Sequence, residues 1–167
     1  MTDRPLHSTL APVTLREITA DTVRSVTKLA VREDQMRFVA SNAVSLAQAL
    51  FTPEAWYRAI YLGEEPVGFV MLFDESLRPV PPQKSDVGVW RFMIDAKHQH
   101  SGVGTAALKL VIAHVRAKDI FEKLELSYVP EPGCPEPFYR RLGFSATGII
   151  DDGEIVMALP IGAAAAA

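Results

Sequence analysis

Residues 90–117 decide the fold of this chain and read WRFMIDAKHQHSGVGTAALKLVIAHVRA. They begin inside an apolar run, Val87–Ile94, whose β-branched and aromatic residues predict a buried strand. They end on a segment where Leu108, Val111, Ile112 and Val115 recur at helical spacing, which predicts a helix with one face in the core. A short turn with two glycines joins the predicted strand to the predicted helix.

The glycine turn, residues 99–104, has the composition of an anion-binding loop. Glycines let backbone N–H groups approach a ligand without obstruction by side chains. The helix that follows adds N–H groups without intrahelical partners and the positive end of its dipole. Phosphate is the ligand that suits such a helix start, so the turn predicts a phosphate site.

Three explanations of the turn can be weighed from the residues alone. A P-loop requires a lysine after its last glycine, and Thr105 stands there instead. Residues 102–107 match the dinucleotide fingerprint G-x-G-x-x-A, but seven residues separate the strand from the first glycine, and too little chain follows for the remaining parallel strands. Glycines that merely turn a loop into a helix are the third explanation.

The composition is that of an ordinary globular protein, with 167 residues, 49% of them hydrophobic, and a net charge of −3. We expect one domain over residues 1–162 and a disordered alanine tail at 163–167. Without a basic patch or a membrane-length apolar run, neither a nucleic acid nor a membrane is a predicted partner. The single cysteine, Cys134, cannot form an intrachain disulfide, which favours the cytoplasm.

The pattern along the rest of the chain mixes strands and helices without strict alternation. This order predicts an α/β fold of the α+β kind with a mixed sheet. The predicted strands are 13–18, 57–62, 66–73, 87–94 and 124–128, followed by a hairpin of 144–150 and 154–159 around a tight acidic turn. Three predicted helices start at caps, the first at Asp21 or Thr22, the second at Asn42 and the third at Thr52. Two more helices are predicted, one directly after the glycine turn and one at residues 136–142.

Two linked motifs carry a resemblance to a known family. The pattern Gln99-x-x-Gly102-x-Gly104, between a strand and a helix, resembles the acyl-CoA-binding motif of the GNAT superfamily of N-acetyltransferases. Downstream, FYRRLGF at residues 138–144 resembles the FYxxxGF segment of the same superfamily. The resemblance implies a GNAT-like fold, in which helices flank a central, mostly antiparallel sheet that is splayed at the acyl-CoA site.

The resemblance also implies acetyl-CoA as co-substrate, and no metal, since the turn and the helix dipole supply the positive field. The turn would hold the pyrophosphate, and the end of the central strand would follow the pantetheine arm. Tyr139 is implied as the acid that protonates the departing thiolate, although its ring could instead serve packing. The implied acetyl-CoA-binding residues are Met93, Ile94, Gln99, His100, Ser101, Gly102, Val103, Gly104, Thr105 and Phe138.

The acceptor is implied by a narrower resemblance. Residues 37–49, WRFMIDA and FYRRLGF resemble bacterial diamine and spermine/spermidine acetyltransferases, which implies a small-molecule amine such as spermidine, and a homodimer is common in the family. Carboxylates suit the charges of a polyamine, and the predicted acceptor-binding residues are Glu33, Asp34, Asp86 and Trp90. An antibiotic or amino-acid-type acceptor, or a non-catalytic acyl-CoA sensor, are the alternatives. The general base stays open among Glu33, Asp34, Asp86, Asp95 and a water chain.

Overall fold

A computed structural model of the chain describes residues 11–162, so the predictions for the lead-in and for the alanine tail lie outside the described residues. Seven strands form one sheet in the order β1-β2-β3-β4-β5-β7-β6. All neighbouring strands are antiparallel except β4 and β5, which are parallel. The strands are β1 (Val13–Arg16), β2 (Ala55–Leu62), β3 (Glu65–Asp74), β4 (Val87–Ile94), β5 (Lys123–Tyr128), β6 (Ser145–Asp151) and β7 (Glu154–Pro160).

Within residues 11–162, four α-helices cover the two faces of the sheet: α1 (Val23–Thr27), α2 (Asn42–Ala49), α3 (Val103–Ala117) and α4 (Glu136–Arg141). The long helix α3 and the short α4 pack on one face, where the apolar stripe predicted for α3 is fully buried in the larger core. Helices α1 and α2 cover the other face over β2, β3 and β4, around Val26, Phe69 and Met71. None of the helices in residues 11–162 is both long and apolar enough to cross a membrane.

The sheet opens in the middle, between β4 and β5. These two strands pair only at Gly88 with Glu125 and at Val89 with Leu126. Beyond Val89, β4 continues to Ile94 with β3 as its single neighbour, and Trp90 is an extra residue where the β3–β4 register shifts. A bulge of this kind bends the strand away from its neighbour. The mixed, splayed sheet predicted from the sequence is therefore confirmed.

The local predictions fail at Thr52 and at Asn42, whereas the start of α1 after Thr22 is predicted correctly. The chain does not form a helix at Thr52 but turns directly into β2, because the backbone carbonyl of Glu54 already accepts a bond from Asp74 N–H at 2.8 Å. Helix α2 is capped by Ser41, whose hydroxyl accepts from Val44 N–H, while Asn42 is buried. Thr22 stands at the N-cap position of α1 without a capping bond from its side chain.

Candidate active site

A cavity of about 1180 Å³ lies where β4 and β5 separate. Six parts of the chain line it: the α1–α2 loop, the second half of β4, the glycine turn with the start of α3, the end of β5 with the loop into α4, α4 itself, and the β6–β7 turn. Because these parts are far apart in sequence, the cavity exists only in the folded sheet. It brings the glycine turn and Tyr139 to one site.

Within the glycine turn, Gly102 is the N-cap of α3 and has a φ of 84°. This left-handed conformation favours glycine. The first helical hydrogen bond runs from Ala106 N–H to Gly102 O, so the N–H groups of Val103, Gly104 and Thr105 precede the intrahelical ladder. The first turn of α3 contains no acidic side chain. The start of α3 is therefore a positive, donor-rich end that suits an anion.

Gln99 fastens the turn to its surroundings through its side chain. Its Nε2 donates to Ile94 O at 3.1 Å and to Gln35 Oε1 at 2.7 Å. His100 lies beside it with a φ of 59°, and its Nε2 is 3.4 Å from Arg32 Nη1. The turn is thus tied both to the end of β4 and to the α1–α2 loop.

Most of the predicted acetyl-CoA-binding residues lie on the cavity wall. These are Met93, Ile94, Gln99, His100, Gly102, Gly104, Thr105 and Phe138. The side chain of Val103 instead belongs to the core, and Ser101, which is exposed, uses its hydroxyl on His98 O.

Tyr139 lies on α4 and lines the cavity, although its side chain is only 8% exposed. Its ring lies 5.4 Å from that of Phe138 and 6.0 Å from that of Phe144, centroid to centroid. Burial raises the pKa of the Tyr139 phenol to about 12. The phenol is therefore protonated at every ordinary assay pH and can act as a proton donor.

The carboxylates predicted to bind the acceptor do not line the cavity. Glu33 and Asp34 lie outside its wall, where Asp34 forms an ion pair with Arg32 at 3.2 Å. Asp86 also lies outside the wall, with its N–H bonded to Glu75. Of the four predicted acceptor-binding residues, Trp90 alone lines the cavity.

Three other carboxylates line the cavity, all from the β6–β7 turn: Asp151, Asp152 and Glu154. Asp152 and Gly153 have φ values of 46° and 83°, so the turn is the tight one predicted from the sequence. Glu154 accepts a hydrogen bond from Ser127 on β5. The acidic composition of the turn is visible in the sequence, but its position at the cavity depends on β7 lying next to β5.

Arg91 is a cation in the same cavity. Its Nη1 and Nη2 donate to two neutral acceptors, Trp90 O and Gln48 Oε1, and its Nε is buried without a partner among residues 11–162. Burial lowers the pKa of the Arg91 guanidinium, and the charge of Glu154 opposes that shift. The cavity wall near the β6–β7 turn therefore carries both signs of charge.

The profile of the acetyltransferase (GNAT) family matches residues 23–144, which include β4, the glycine turn and α4. The chain belongs to the GNAT family. It is an acetyl-CoA-dependent N-acetyltransferase, so the alternative of a non-catalytic sensor no longer applies. The dinucleotide explanation of the glycine turn is wrong, because the sheet is mostly antiparallel.

Relatives extend the likeness over the whole domain. The chain is 29% identical to a spermine/spermidine N(1)-acetyltransferase of Bacillus subtilis over 152 residues, which cover 87% of this chain and 96% of the relative. A crystal structure of an acetyltransferase from Thermus thermophilus matches with a TM-score of 0.69 at 18% identity, over 90% of this chain and 98% of that one. An aminoglycoside acetyltransferase in complex with coenzyme A matches with a TM-score of 0.70 at 16% identity, over 89% and 94%.

Within residues 11–162, no three histidine, cysteine, aspartate or glutamate side chains are grouped so that they could hold a metal ion. Positive charge at the cavity comes from the start of α3 and from the arginines on its wall, Arg32, Arg37, Arg91 and Arg141. The homodimer and the cytoplasmic location stay predictions.

Proposed function

We propose that this enzyme transfers the acetyl group of acetyl-CoA to a primary amine of a polyamine such as spermidine or spermine. The observation that carries the proposal is the acidic β6–β7 turn, which puts Asp151, Asp152 and Glu154 on the wall of the cavity that also contains the glycine turn. The likeness to the Bacillus subtilis spermine/spermidine enzyme over nearly its whole length supports the same acceptor class.

The glycine turn and the start of α3 hold the acetyl-CoA pyrophosphate in this proposal. Free N–H groups at the helix start and the absence of acidic side chains in the first turn suit a diphosphate. A Cβ added to Gly104 would meet Ile94 Cγ1 at 3.5 Å and the Phe138 ring at 3.6 Å, so the floor beneath the turn is narrow and apolar. Such a floor fits the pantetheine arm.

The splayed edge of β4 serves the acyl group. Beyond Val89, β4 pairs with β3 alone, so its edge facing β5 has backbone groups available for a ligand. Acetyl-CoA supplies the acetyl group as a thioester, and a backbone N–H of β4 polarises its carbonyl. Phe92 and Phe138 stack at 6.0 Å beside this edge and keep it apolar.

The acidic turn neutralises the cationic acceptor. A polyamine places ammonium groups along a flexible aliphatic chain, so one end can contact Asp151 and Asp152 while another nitrogen reaches β4. Trp90 and Phe38, both on the cavity wall, offer apolar surface to the methylene spacer. Glu154 lies where it can accept the proton that the reacting ammonium loses, directly or through water.

Tyr139 donates the proton that the leaving thiolate gains. In the transfer, the amine nitrogen forms a bond to the carbonyl carbon while the carbon–sulfur bond breaks, and the sulfur takes the phenolic proton. The raised pKa keeps that proton on Tyr139 until the sulfur leaves. The reacting ammonium loses two protons in all, one before it attacks and one as the amide forms. One of them returns to Tyr139, and the other leaves to solvent.

Thiol release from acetyl-CoA tests the acceptor class against a panel of spermidine, spermine, diamines, an aminoglycoside and free amino acids. We expect the highest kcat/KM with spermidine or spermine, and acetylation at a primary amine by mass spectrometry. Tyr139→Phe is the matched control for enzymatic release. A higher kcat/KM with an amino acid or an aminoglycoside would contradict the polyamine assignment while leaving the acetyltransferase activity in place.

Arg91 favours a second candidate, an amino-acid-type amine. Its guanidinium forms no ion pair within residues 11–162, and it lies in the cavity near the acidic turn. An acceptor with a carboxylate beside its amine would satisfy Arg91 and Glu154 together. The same panel separates the two candidates, because a free amino acid carries the carboxylate that a polyamine lacks.

A further inference from the structure

The loop between α1 and α2, residues 31–40, crosses the cavity and is called the strap below. All of its residues except Glu33 and Asp34 line the cavity. Both ends of the strap are tied to the fold. Ala30 N–H donates to Asp95 Oδ1 at 3.0 Å, and its carbonyl accepts from Ala96 N–H at 2.8 Å. After the strap, buried Asn42 donates to Val26 O at 2.9 Å.

The middle of the strap is held by few contacts. None of its residues is fully buried, so apolar packing contributes little to its position. Arg37 forms an ion pair with Glu131 at 3.2 Å and donates to Pro132 O at 3.2 Å, but these contacts are exposed, and such pairs add little. Gln35 makes the short, partly buried bond to Gln99 at 2.7 Å.

Two contacts join the strap to the glycine turn, Arg32 with His100 at 3.4 Å and Gln35 with Gln99 at 2.7 Å, and the second is the shorter and more buried. The two bonds that Gln99 Nε2 donates use both of its N–H groups, one on Gln35 and one on Ile94 O. Its backbone belongs to the turn that faces the anion site. A ligand that fixes the turn therefore also fixes the side chain that holds the strap.

We propose that Gln35 is a positioning residue that couples coenzyme binding to closure of the strap over the acceptor. The proposal rests on the coenzyme half of the proposed function and is independent of which amine is the acceptor. Coenzyme on the turn restrains Gln99, Gln99 holds Gln35, and the strap then places Met36 and Phe38 against the acceptor. Coupling through one neutral hydrogen bond amounts to about three- to tenfold in an equilibrium.

Hydrogen–deuterium exchange of residues 31–40, with and without coenzyme A, tests the coupling without any acceptor. The test variant is Gln35→Leu, which keeps the side-chain volume and removes the acceptor oxygen. Gln35→Glu keeps an acceptor for Gln99 Nε2 and is the rescue variant. Gln83→Leu, at an exposed glutamine outside the cavity, is the matched control.

We expect coenzyme A to slow exchange of the strap by about three- to tenfold in the wild type, in Gln35→Glu and in Gln83→Leu, and by less than about twofold in Gln35→Leu. Because coupling is reciprocal, calorimetry should give Gln35→Leu a Kd for coenzyme A that is weaker by about the same three- to tenfold, and by no more. With an active acceptor, its KM should rise by the lost factor while kcat stays within about twofold.

Equal protection of the strap in Gln35→Leu and in the wild type would overturn the proposal. So would a loss of coenzyme affinity far beyond tenfold in Gln35→Leu, because Gln35 would then support the anion site itself. No binding of coenzyme A to the wild type would instead reject the proposed coenzyme site, and the proposal with it. Failure of polyamines in the acceptor panel would leave the exchange result intact.

Discussion

Val89 and Leu126 are the last paired residues of β4 and β5 before the two strands separate. Beyond this pair the sheet divides, and the cavity fills the gap. The bulge at Trp90 bends β4 away just past the pair. A parallel pair that stops after two residues therefore creates the opening that forms the cavity.

Gly104→Val should weaken coenzyme binding by about 10- to 100-fold, because overfilling a packed site costs about 1–3 kcal/mol. The added methyl groups would press into the space bounded by Ile94 and Phe138. Isothermal calorimetry with coenzyme A measures the change. Gly104→Ala is the matched control, since a single Cβ meets its neighbours at ordinary contact distances. Unchanged affinity in the valine variant would place the coenzyme elsewhere.

Tyr139→Phe should lower kcat by about a hundredfold or more, which is the usual loss of a general acid. The Kd for coenzyme A should stay within about threefold, because the ring remains in place. The hydroxyl makes no hydrogen bond with a side chain or backbone group of residues 11–162, so its removal should move Tm little.

Rapid-quench kinetics of the Tyr139→Phe preparation checks the predicted fall in kcat, and a thermal melt of the same preparation checks the predicted Tm. Because the pKa of Tyr139 is raised to about 12, kcat should show no fall from loss of this acid between pH 7 and 10. Wild-type turnover in the phenylalanine variant would assign Tyr139 to packing.

The double change Asp151→Asn and Asp152→Asn should raise the KM for spermidine by about tenfold, as two solvent-accessible charge pairs are worth about 0.3–1 kcal/mol each. Steady-state kinetics at low and high salt measures the effect, which salt should reduce. The matched control is Glu33→Gln with Asp34→Asn, an adjacent acidic pair outside the cavity wall. A larger effect in the control would show that the acceptor binds at Glu33 and Asp34 of the strap.

Arg91→Gln separates the two acceptor classes. For a polyamine, removal of a nearby cation should lower KM by about two- to fivefold, through relief of repulsion in a partly desolvated site. For an amino-acid-type acceptor, the same change should raise KM, because a carboxylate would lose its partner. Arg24→Gln, at an exposed position outside the cavity, is the control. A raised KM for spermidine in Arg91→Gln would contradict the polyamine proposal.

His114 should make the fold sensitive to acid. It stacks on Trp56 with ring centroids 4.2 Å apart, and burial, followed by the charges of Lys118 and Arg58, lowers the pKa of His114 below 6.5. The unfolded chain therefore binds a proton at a pH where the folded chain does not. The neutral form of His114 thus contributes to the stability of the fold above pH 6.5, and this stability is lost as the pH falls through the lower pKa of the folded chain.

Thermal melts of the wild type and His114→Phe from pH 7.5 downward test this. Phenylalanine keeps the stack on Trp56, so its Tm should fall less on acidification than that of the wild type. Parallel curves would show that the titration of His114 is not linked to stability.

Local patterns in the chain were sufficient to predict most of the strands and helices. β4 follows the predicted bounds, and Gly143 ends the segment of α4 in the left-handed conformation expected of it, with a φ of 97°. Apolar periodicity succeeds at such places because it reports which face of an element is buried. It fails at Thr52, since a bond between the distant residues Asp74 and Glu54 overrides the local cap signal.

The sequence by itself determined the order of strands and helices, the glycine turn at the start of α3 and the family that these motifs carry, because each depends on residues close together in the chain. Tertiary structure alone decided which charges reach the cavity. Glu33, Asp34 and Asp86 lie outside its wall, whereas Asp151, Asp152 and Glu154 lie on it. The reason is the strand order, in which β7 lies between β5 and β6 and brings the last hairpin turn to the open edge of the sheet.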